Sequence, residues 1–117
     1  MGHTFVNFTN HPSDKWETEQ RRCALEYGEL VNLPFPEVEA EADENAVNEM
    51  AESYVRKILD LDPCAVLCQG EFSLAFQVTS MLKAHGITVL AACSRREVKV
   101  YGNKKEVLFQ FVRFRKY

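Results

Sequence analysis

Residues 64–73 of the chain read Cys-Ala-Val-Leu-Cys-Gln-Gly-Glu-Phe-Ser. The five apolar residues at the start form a run of strand length, which is typical of a strand buried on both faces inside a parallel sheet. Gln69 and Gly70 end this run, and apolar residues at helical spacing from Leu74 to Leu82 then indicate a helix. Residues 87–93 form a second apolar run of the same kind. The segment therefore predicts a strand, a helix and a second parallel strand.

The same alternation extends through the first sixty residues. Phe5 to Phe8 predicts a first strand, and Ser13 stands where the N-cap of a helix from Trp16 to Tyr27 belongs. Leu30 to Leu33 predicts a second strand, and the apolar spacing from Val47 to Ile58 predicts an amphipathic helix. Alternating strands and helices imply right-handed crossovers and a sheet covered by helices on both faces, with strand order 2-1-3-4.

The carboxy-terminal tail has a different pattern. Val98 to Tyr101 and Val107 to Phe114 flank Gly102-Asn103, a residue pair suited to the turn of a hairpin. We therefore predict one α/β domain over residues 1–117. It is a three-layer sandwich with a mainly parallel sheet and a C-terminal antiparallel hairpin.

Charge is distributed unevenly along the chain, although the net charge is only -3. Residues 29–62 hold ten acidic and two basic side chains, whereas residues 63–117 hold three acidic and nine basic ones. A basic carboxy-terminal half suits an anionic ligand, because fixed cations raise the local concentration of anions. The alternative is that these charges only solvate a helix and an edge strand. A sequence pI near 5.6 argues against a dedicated binder of long nucleic acids.

The four cysteines stand singly in apolar segments, without a CxxC pair or a closely spaced pair of histidines. We therefore expect neither a metal site nor a disulfide framework, and free cysteines that pack as small buried hydrophobes. The first residues lack a charged segment followed by an apolar one, and no run reaches the roughly 18 apolar residues of a membrane span. We expect a cytoplasmic protein that makes no contact with membranes.

In open α/β sheets, ligands bind beyond the carboxyl ends of the strands where the strand order reverses. For the predicted order this point lies between the first and third strands. The loops Thr9 to Ser13 and Gln69 to Ser73 arrive there, and Ser94 to Arg96 follow the fourth strand beside them. We predict a polar ligand site at this edge.

Several groups in these loops suit a phosphate or acid–base chemistry. Gly70 and the helix start after it could hold a phosphate, or Gly70 could merely make the turn while Glu71 complements the helix dipole. Arg95 could contact a phosphate through its guanidinium fork, or pair with a surface acid. His11 could act as a general acid or base, or be an ordinary loop residue. Neither GxGxxG nor GxxxxGKS/T occurs, which disfavours a common dinucleotide or nucleoside triphosphate site. Strand alternation also puts Arg113 and Arg115 on one face of the tail.

Stretches from three parts of the chain together resemble small CRISPR-associated proteins of the CARF-like, ring-nuclease type, which recognise cyclic oligoadenylate messengers. The first is residues 7–13 (Asn-Phe-Thr-Asn-His-Pro-Ser) with Glu19-Gln20. The second is residues 69–72 (Gln-Gly-Glu-Phe), and the third is residues 92–96 (Ala-Cys-Ser-Arg-Arg) with the tail 111–117.

This resemblance implies a Rossmann-like homodimer that binds a cyclic oligoadenylate across its two-fold axis. It implies cleavage without a metal or cofactor, by attack of a ribose 2′-OH on the adjacent phosphorus, with His11, Ser94 and Arg95 as catalytic residues. The residues that it implies for ligand binding are Thr9, Asn10, Ser13, Gln69, Gly70, Glu71, Phe72, Ser73 and Arg96. Two alternatives remain: a nucleotide-sensing or regulatory domain without catalysis, and a structural homo-oligomer built on the aromatic tail.

Overall fold

A computed structural model describes residues 2–117 and shows a mixed α/β domain with five strands and three α-helices. The elements in chain order are β1 (Thr4–Phe8), a 3-10 turn (Ser13–Lys15), α1 (Thr18–Leu25), β2 (Glu29–Asn32), α2 (Glu44–Asp60), β3 (Pro63–Cys68), α3 (Phe72–Ala84), β4 (Thr88–Tyr101) and β5 (Lys104–Lys116). The predicted alternation of strands and helices is confirmed. Within the described residues, no helix has the length and apolar character that crossing a membrane requires.

The strands form one sheet in the order β2-β1-β3-β4-β5. β1 pairs in parallel with β2 and β3, and β3 pairs in parallel with β4. β5 returns antiparallel to β4, and the turn between them is Gly102-Asn103, as predicted. The strand order therefore reverses at β1 and β3, where the sequence places the ligand loops.

Each face of the sheet has its own apolar core. Side chains of α2 and α3, including Ile58 and Val78, pack on the face that contains Val6 and Val66. On the opposite face, Trp16 and Ala24 pack with residues of β1, β3, β4 and β5. Successive strand residues point to opposite faces, so the apolar runs of β1 and β3 feed both cores. Helices thus cover both faces of the sheet.

The fourth strand is much longer than the sequence predicted. The apolar run predicts a strand that ends at Cys93 and a loop from Ser94 to Arg96, but β4 continues without a break to Tyr101. β5 pairs with it along its whole length, from Leu90 with Lys116 to Tyr101 with Lys104. The polar residues after Cys93 are exposed, so burial does not hold them in a strand. They are extended because their backbone groups pair with β5.

A bulge in β5 explains the spacing of its aromatic residues. Phe111 and Phe114 are three residues apart, so strict alternation would send them to opposite faces. The register shifts between Cys93 and Ser94, where one extra β5 residue enters the ladder. Both phenylalanines therefore point to the α1 side, where they are 6% and 8% exposed.

The start of the first helix also differs from the prediction. Ser13 is not the N-cap of α1: it begins the 3-10 turn, and it is buried. Its backbone N–H and its hydroxyl are both bonded to the side chain of Asn32 in β2, which occupies the groups that a cap would use. The helix begins at Thr18, after Glu17 as N-cap residue.

Candidate functional site

A cleft of about 800 Å³ opens at the carboxyl ends of β1 and β3, on the α1 side of the sheet. Its wall includes six residues that the sequence predicted, from three separate segments. They are Thr9, Asn10, His11, Gln69, Gly70 and Ser94. The remaining lining residues are Lys15, Trp16, Glu17, Gln20, Leu67, Ala92, Phe109 and Phe111. The cleft thus combines hydroxyl, amide, imidazole, ammonium and carboxylate groups with aromatic rings.

The loop after β1 is held through the backbone of His11. The His11 carbonyl oxygen accepts hydrogen bonds from Asn7 Nδ2 at 2.9 Å and from Trp16 Nε1 at 2.9 Å. The Thr9 hydroxyl oxygen in turn accepts from the His11 N–H at 3.1 Å. These contacts fix the backbone of His11. The residue is exposed, and it lines the cleft.

Below this loop lies a network of buried polar side chains. Asn7 is 1% exposed; its Nδ2 donates to Asn32 Oδ1 at 2.8 Å, and its Oδ1 accepts from the Thr9 hydroxyl at 2.8 Å. Asn32 Oδ1 also accepts from the Ser13 N–H at 3.1 Å. Ser13 lies outside the cleft wall and supports the loop from below. Every member of the network is bonded, and such satisfied networks rigidify the segment above them.

Gln69 and Gly70 have structural roles besides lining the cleft. Gln69 Oε1 accepts from the Ala92 N–H at 3.0 Å, just past the last β3 and β4 pair at Leu67 and Leu90. The Gln69 amide thus continues the ladder where β3 has ended, and its NH₂ group can still reach a ligand. Gly70 has no positive φ; a Cβ there would come within 2.5 Å of the Phe35 ring.

The start of α3 is occupied by its own acidic residue. Glu71 Oε1 accepts from the Leu74 N–H at 2.8 Å and from the Ser73 hydroxyl at 2.6 Å. These hydrogen bonds hold the pKa of the Glu71 carboxyl below its usual value. Glu71, Phe72 and Ser73 do not line the cleft, and Phe72 is 91% exposed. A phosphate at this helix start would meet a carboxylate, so of the two interpretations the structure favours the dipole-complementing role of Glu71.

The arginines after Cys93 lie on a strand and not in a loop. Arg95 faces Gln110 across the ladder and Arg96 faces Phe109. Because cross-strand partners point to the same face, Arg96 shares the face of the cleft residue Phe109, and Arg95 points the other way. Neither arginine lines the cleft or forms an ion pair within residues 2–117. Both are exposed.

Sequence reasoning missed the residues that the turn after β1 and the hairpin bring in. The 3-10 turn and the two residues after it run along the cleft, so the lining includes Lys15, Trp16 and Glu17. Phe109 and Phe111 enter because β5 packs on the α1 side of the sheet, where Phe111 and Phe114 share a core with Ala24. The uneven spacing of Phe109, Phe111 and Phe114 is the one sequence signal that indicates a bulge.

Two ionisable groups at the carboxyl end of β3 have altered pKa values. Burial raises the pKa of the Cys68 thiol to about 11, and Cys68 is fully buried. Burial also raises the pKa of Tyr117, whose hydroxyl donates to the Cys68 carbonyl at 2.9 Å. Among the described residues, no three His, Cys, Asp or Glu side chains cluster in a way that could hold a metal ion.

Together the fold and the cleft define a small α/β protein with a polar and aromatic cleft at the carboxyl edge of a mixed sheet. The chain belongs to the uncharacterized protein MJ1673 family, whose model matches residues 3–115. No curated protein and no solved structure matches the chain significantly.

Proposed function

We propose that this Rossmann-like domain binds a cyclic oligoadenylate in the cleft and cleaves it, as the resemblance to CARF-like ring nucleases implies. One observation carries the proposal. Thr9 to His11, Gln69 with Gly70, and Ser94 come from three distant segments and meet in one cleft where the strand order reverses. That is where α/β sheets bind small ligands, and the cleft volume lies within the range of such sites.

The aromatic side of the cleft suits a nucleobase. Trp16 and Phe111 are nearly buried and form a fixed wall, while Phe109 is 65% exposed and presents a free ring. Bases stack on such rings for about 1 to 3 kcal/mol each. The amides of Asn10 and Gln20 offer both donors and acceptors for the edge of a base.

The polar side of the cleft suits a phosphate and a ribose. Lys15, and not Arg95, is the cation in the lining, so we assign the phosphate contact to Lys15. Ser94 can donate its hydroxyl to a phosphate oxygen. With these contacts the substrate phosphate would lie close to the His11 imidazole.

The proposed reaction is an internal displacement. His11 accepts the proton of a ribose 2′-OH, the 2′ oxygen bonds to the adjacent phosphorus, and the bond from phosphorus to the 5′ oxygen breaks. The departing 5′ oxygen takes a proton from solvent, which gives a linear product with a 2′,3′-cyclic phosphate. Lys15 and Ser94 stabilise the charge that grows on the phosphate, so catalysis consists of positioning and electrostatics.

A second candidate, a sensor that binds without cleaving, is favoured by one observation. Although two donors hold the His11 carbonyl, the His11 imidazole itself has no hydrogen-bond partner within residues 2–117. Catalytic histidines are normally oriented by a second group. In this candidate the cleft holds the ligand and His11 only contacts it.

Incubation of the purified protein with radiolabelled cyclic tetra-adenylate in EDTA tests both candidates. Linear products that are lost in His11→Ala and retained in Lys99→Ala support the nuclease, because Lys99 is exposed and does not line the cleft. Retention of the intact ring without turnover supports the sensor. If the protein neither binds nor cleaves the ring, the proposal is wrong.

A further inference from the structure

The end of the hairpin forms an arm, residues 94–112, in which every residue except Phe111 is exposed. Strand pairing puts Val98 opposite Val107 and Arg96 opposite Phe109, on the face that carries the cleft. Val100 follows on the same face. We call Val98, Val100 and Val107 the arm stripe; their exposures run from 38% to 68%.

The charges beside the arm stripe have one sign. Arg96 and Lys105 point to its face, and no acidic residue of the arm does. The acidic residues Glu97 and Glu106 face the other side, opposite Leu108 and Lys99. An isolated two-stranded hairpin is at best marginally stable in water, and an apolar stripe of this kind stabilises it only when covered. A surface that covers the arm stripe should therefore be apolar, with acidic side chains at its border.

A surface with those properties lies on α3. Phe72 is 91% exposed and Phe76, one turn later, is 67% exposed. Glu71 precedes them, and a depression beside α3 joins its residues Ser73 and Gln77 to Asp43 and Glu44 at the start of α2. We call Phe72, Phe76 and this acidic border the α3 patch.

The arm stripe and the α3 patch cannot cover each other within one chain. The stripe continues the face on which Trp16 packs, whereas α3 packs on the opposite face of the sheet. The two surfaces are complementary in both apolar character and charge. A second copy of the chain supplies each with its match.

We infer that the protein forms a two-fold dimer in which the arm stripe of each copy covers the α3 patch of the other. Phe72 and Phe76 would pack on Val98, Val100 and Val107, with Arg96 and Lys105 beside the partner's acidic border. Two reciprocal contacts close the assembly as a pair and stop further growth. A single-stranded nucleic acid suits this surface less well, because base stacking needs aromatic rings and the arm stripe consists of valines. The inference does not depend on what the cleft binds.

Two substitutions remove one side of the contact each and spare the fold. Val100→Asp places a carboxylate on the arm opposite Lys105, with which it can pair. Phe72→Asp places one in the first turn of α3, where the helix dipole favours it. Lys99→Ala, on the other face of the arm, is the matched control. Circular dichroism and melting temperature check that each variant is folded.

Light scattering of each variant and of a mixture gives the decisive result. The inference expects a dimeric parent and control, two monomeric variants, and dimers again when Val100→Asp and Phe72→Asp are mixed, since the mixture retains one intact contact. If Phe72→Asp remains dimeric while Val100→Asp dissociates, the arms pair with each other and the inference is wrong. It is also wrong if the parent is monomeric at high micromolar concentration, including a monomer that binds single-stranded RNA through the arm, or if it grows beyond a dimer.

Discussion

Glu17 Oε2 accepts a hydrogen bond from the backbone N–H of Phe111 at 3.0 Å, a contact that joins residues 94 positions apart. Glu17 is the N-cap residue of α1, and Phe111 lies beside the bulge of β5. Both residues line the cleft, so this bond connects two of its walls. It also satisfies an N–H of an edge strand that could otherwise pair with another chain.

Replacing Glu17 should therefore weaken the contact between the hairpin and the start of α1. We expect Glu17→Ala to lower the free energy of unfolding by about 1 kcal/mol, the usual value of an intramolecular hydrogen bond. Glu17→Gln keeps an acceptor oxygen and should lose less. Urea unfolding of the three proteins measures the differences. Equal midpoints for parent and Glu17→Ala would show that the bond contributes nothing to stability.

Asn7 should be among the polar residues that the fold tolerates least. Asn7→Leu removes a donor from the His11 carbonyl, a donor from Asn32 Oδ1 and the acceptor of the Thr9 hydroxyl, and each intramolecular hydrogen bond contributes about 0.5 to 1.5 kcal/mol. Thr9→Val removes only the hydroxyl and should cost less. We expect the larger loss of denaturant stability for Asn7→Leu. A smaller loss than for Thr9→Val would contradict the network.

We expect position 70 to require glycine because a larger side chain would clash with Phe35, and not because of the backbone conformation. A Cβ at position 70 would lie 2.5 Å from the ring, and Phe35 is 4% exposed, so the ring has little freedom to move. Gly70→Ala should lower the free energy of unfolding by roughly 1 to 3 kcal/mol, as overpacking does. In a Phe35→Leu background the same change should cost clearly less. A double-mutant cycle measures this coupling, and strict additivity would rule out the clash.

Most of the parallel sheet could be predicted from the sequence because burial leaves a local signature. The runs ending at Phe8 and Cys68 are apolar on both faces, and the spacing of α2 is helical, so each element could be recognised within its own segment. The continuation of β4 had no such signature. Ser94 to Glu97 are polar and exposed, and they are extended only because distant β5 residues pair with them.

The site was predicted in part for the same reason. The rule for strand ends brought His11, Gln69 and Ser94 to one edge, and the structure gathers them in one cleft. The rule does not say which face of the sheet a side chain points to, and this matters for residues that were predicted in a loop but lie in a strand. The place of Arg95 in the chain predicts a phosphate contact, but strand alternation points its side chain away from the cleft, and Lys15 lines the cleft.

Stability at alkaline pH should depend on Cys68. Burial raises the pKa of its thiol to about 11 from an ordinary value of 9.0, so the folded state holds the proton more tightly than the unfolded chain. The resulting stability is complete below pH 9 and is lost as the pH rises from 9 to 11. Urea unfolding should therefore show a steeper decline for the parent than for Cys68→Ala across this window, by up to roughly 2 to 3 kcal/mol. Parallel curves would mean that the thiol ionises freely in the folded protein.

Lys15 and Arg95 should differ in their effect on the ligand. If the Lys15 ammonium contacts a phosphate in the cleft, Lys15→Ala should weaken cyclic tetra-adenylate binding by about ten- to a hundredfold, the equivalent of roughly 1.5 to 3 kcal/mol for a hydrogen bond to a charged group. Arg95 faces away from the cleft, so Arg95→Ala should bind like the parent at the same salt concentration. Isothermal titration gives both affinities, and unchanged melting temperatures show that the fold is intact. The reverse order of losses would move the phosphate contact from the cleft to the opposite face of the hairpin, and the proposed ligand position would be wrong.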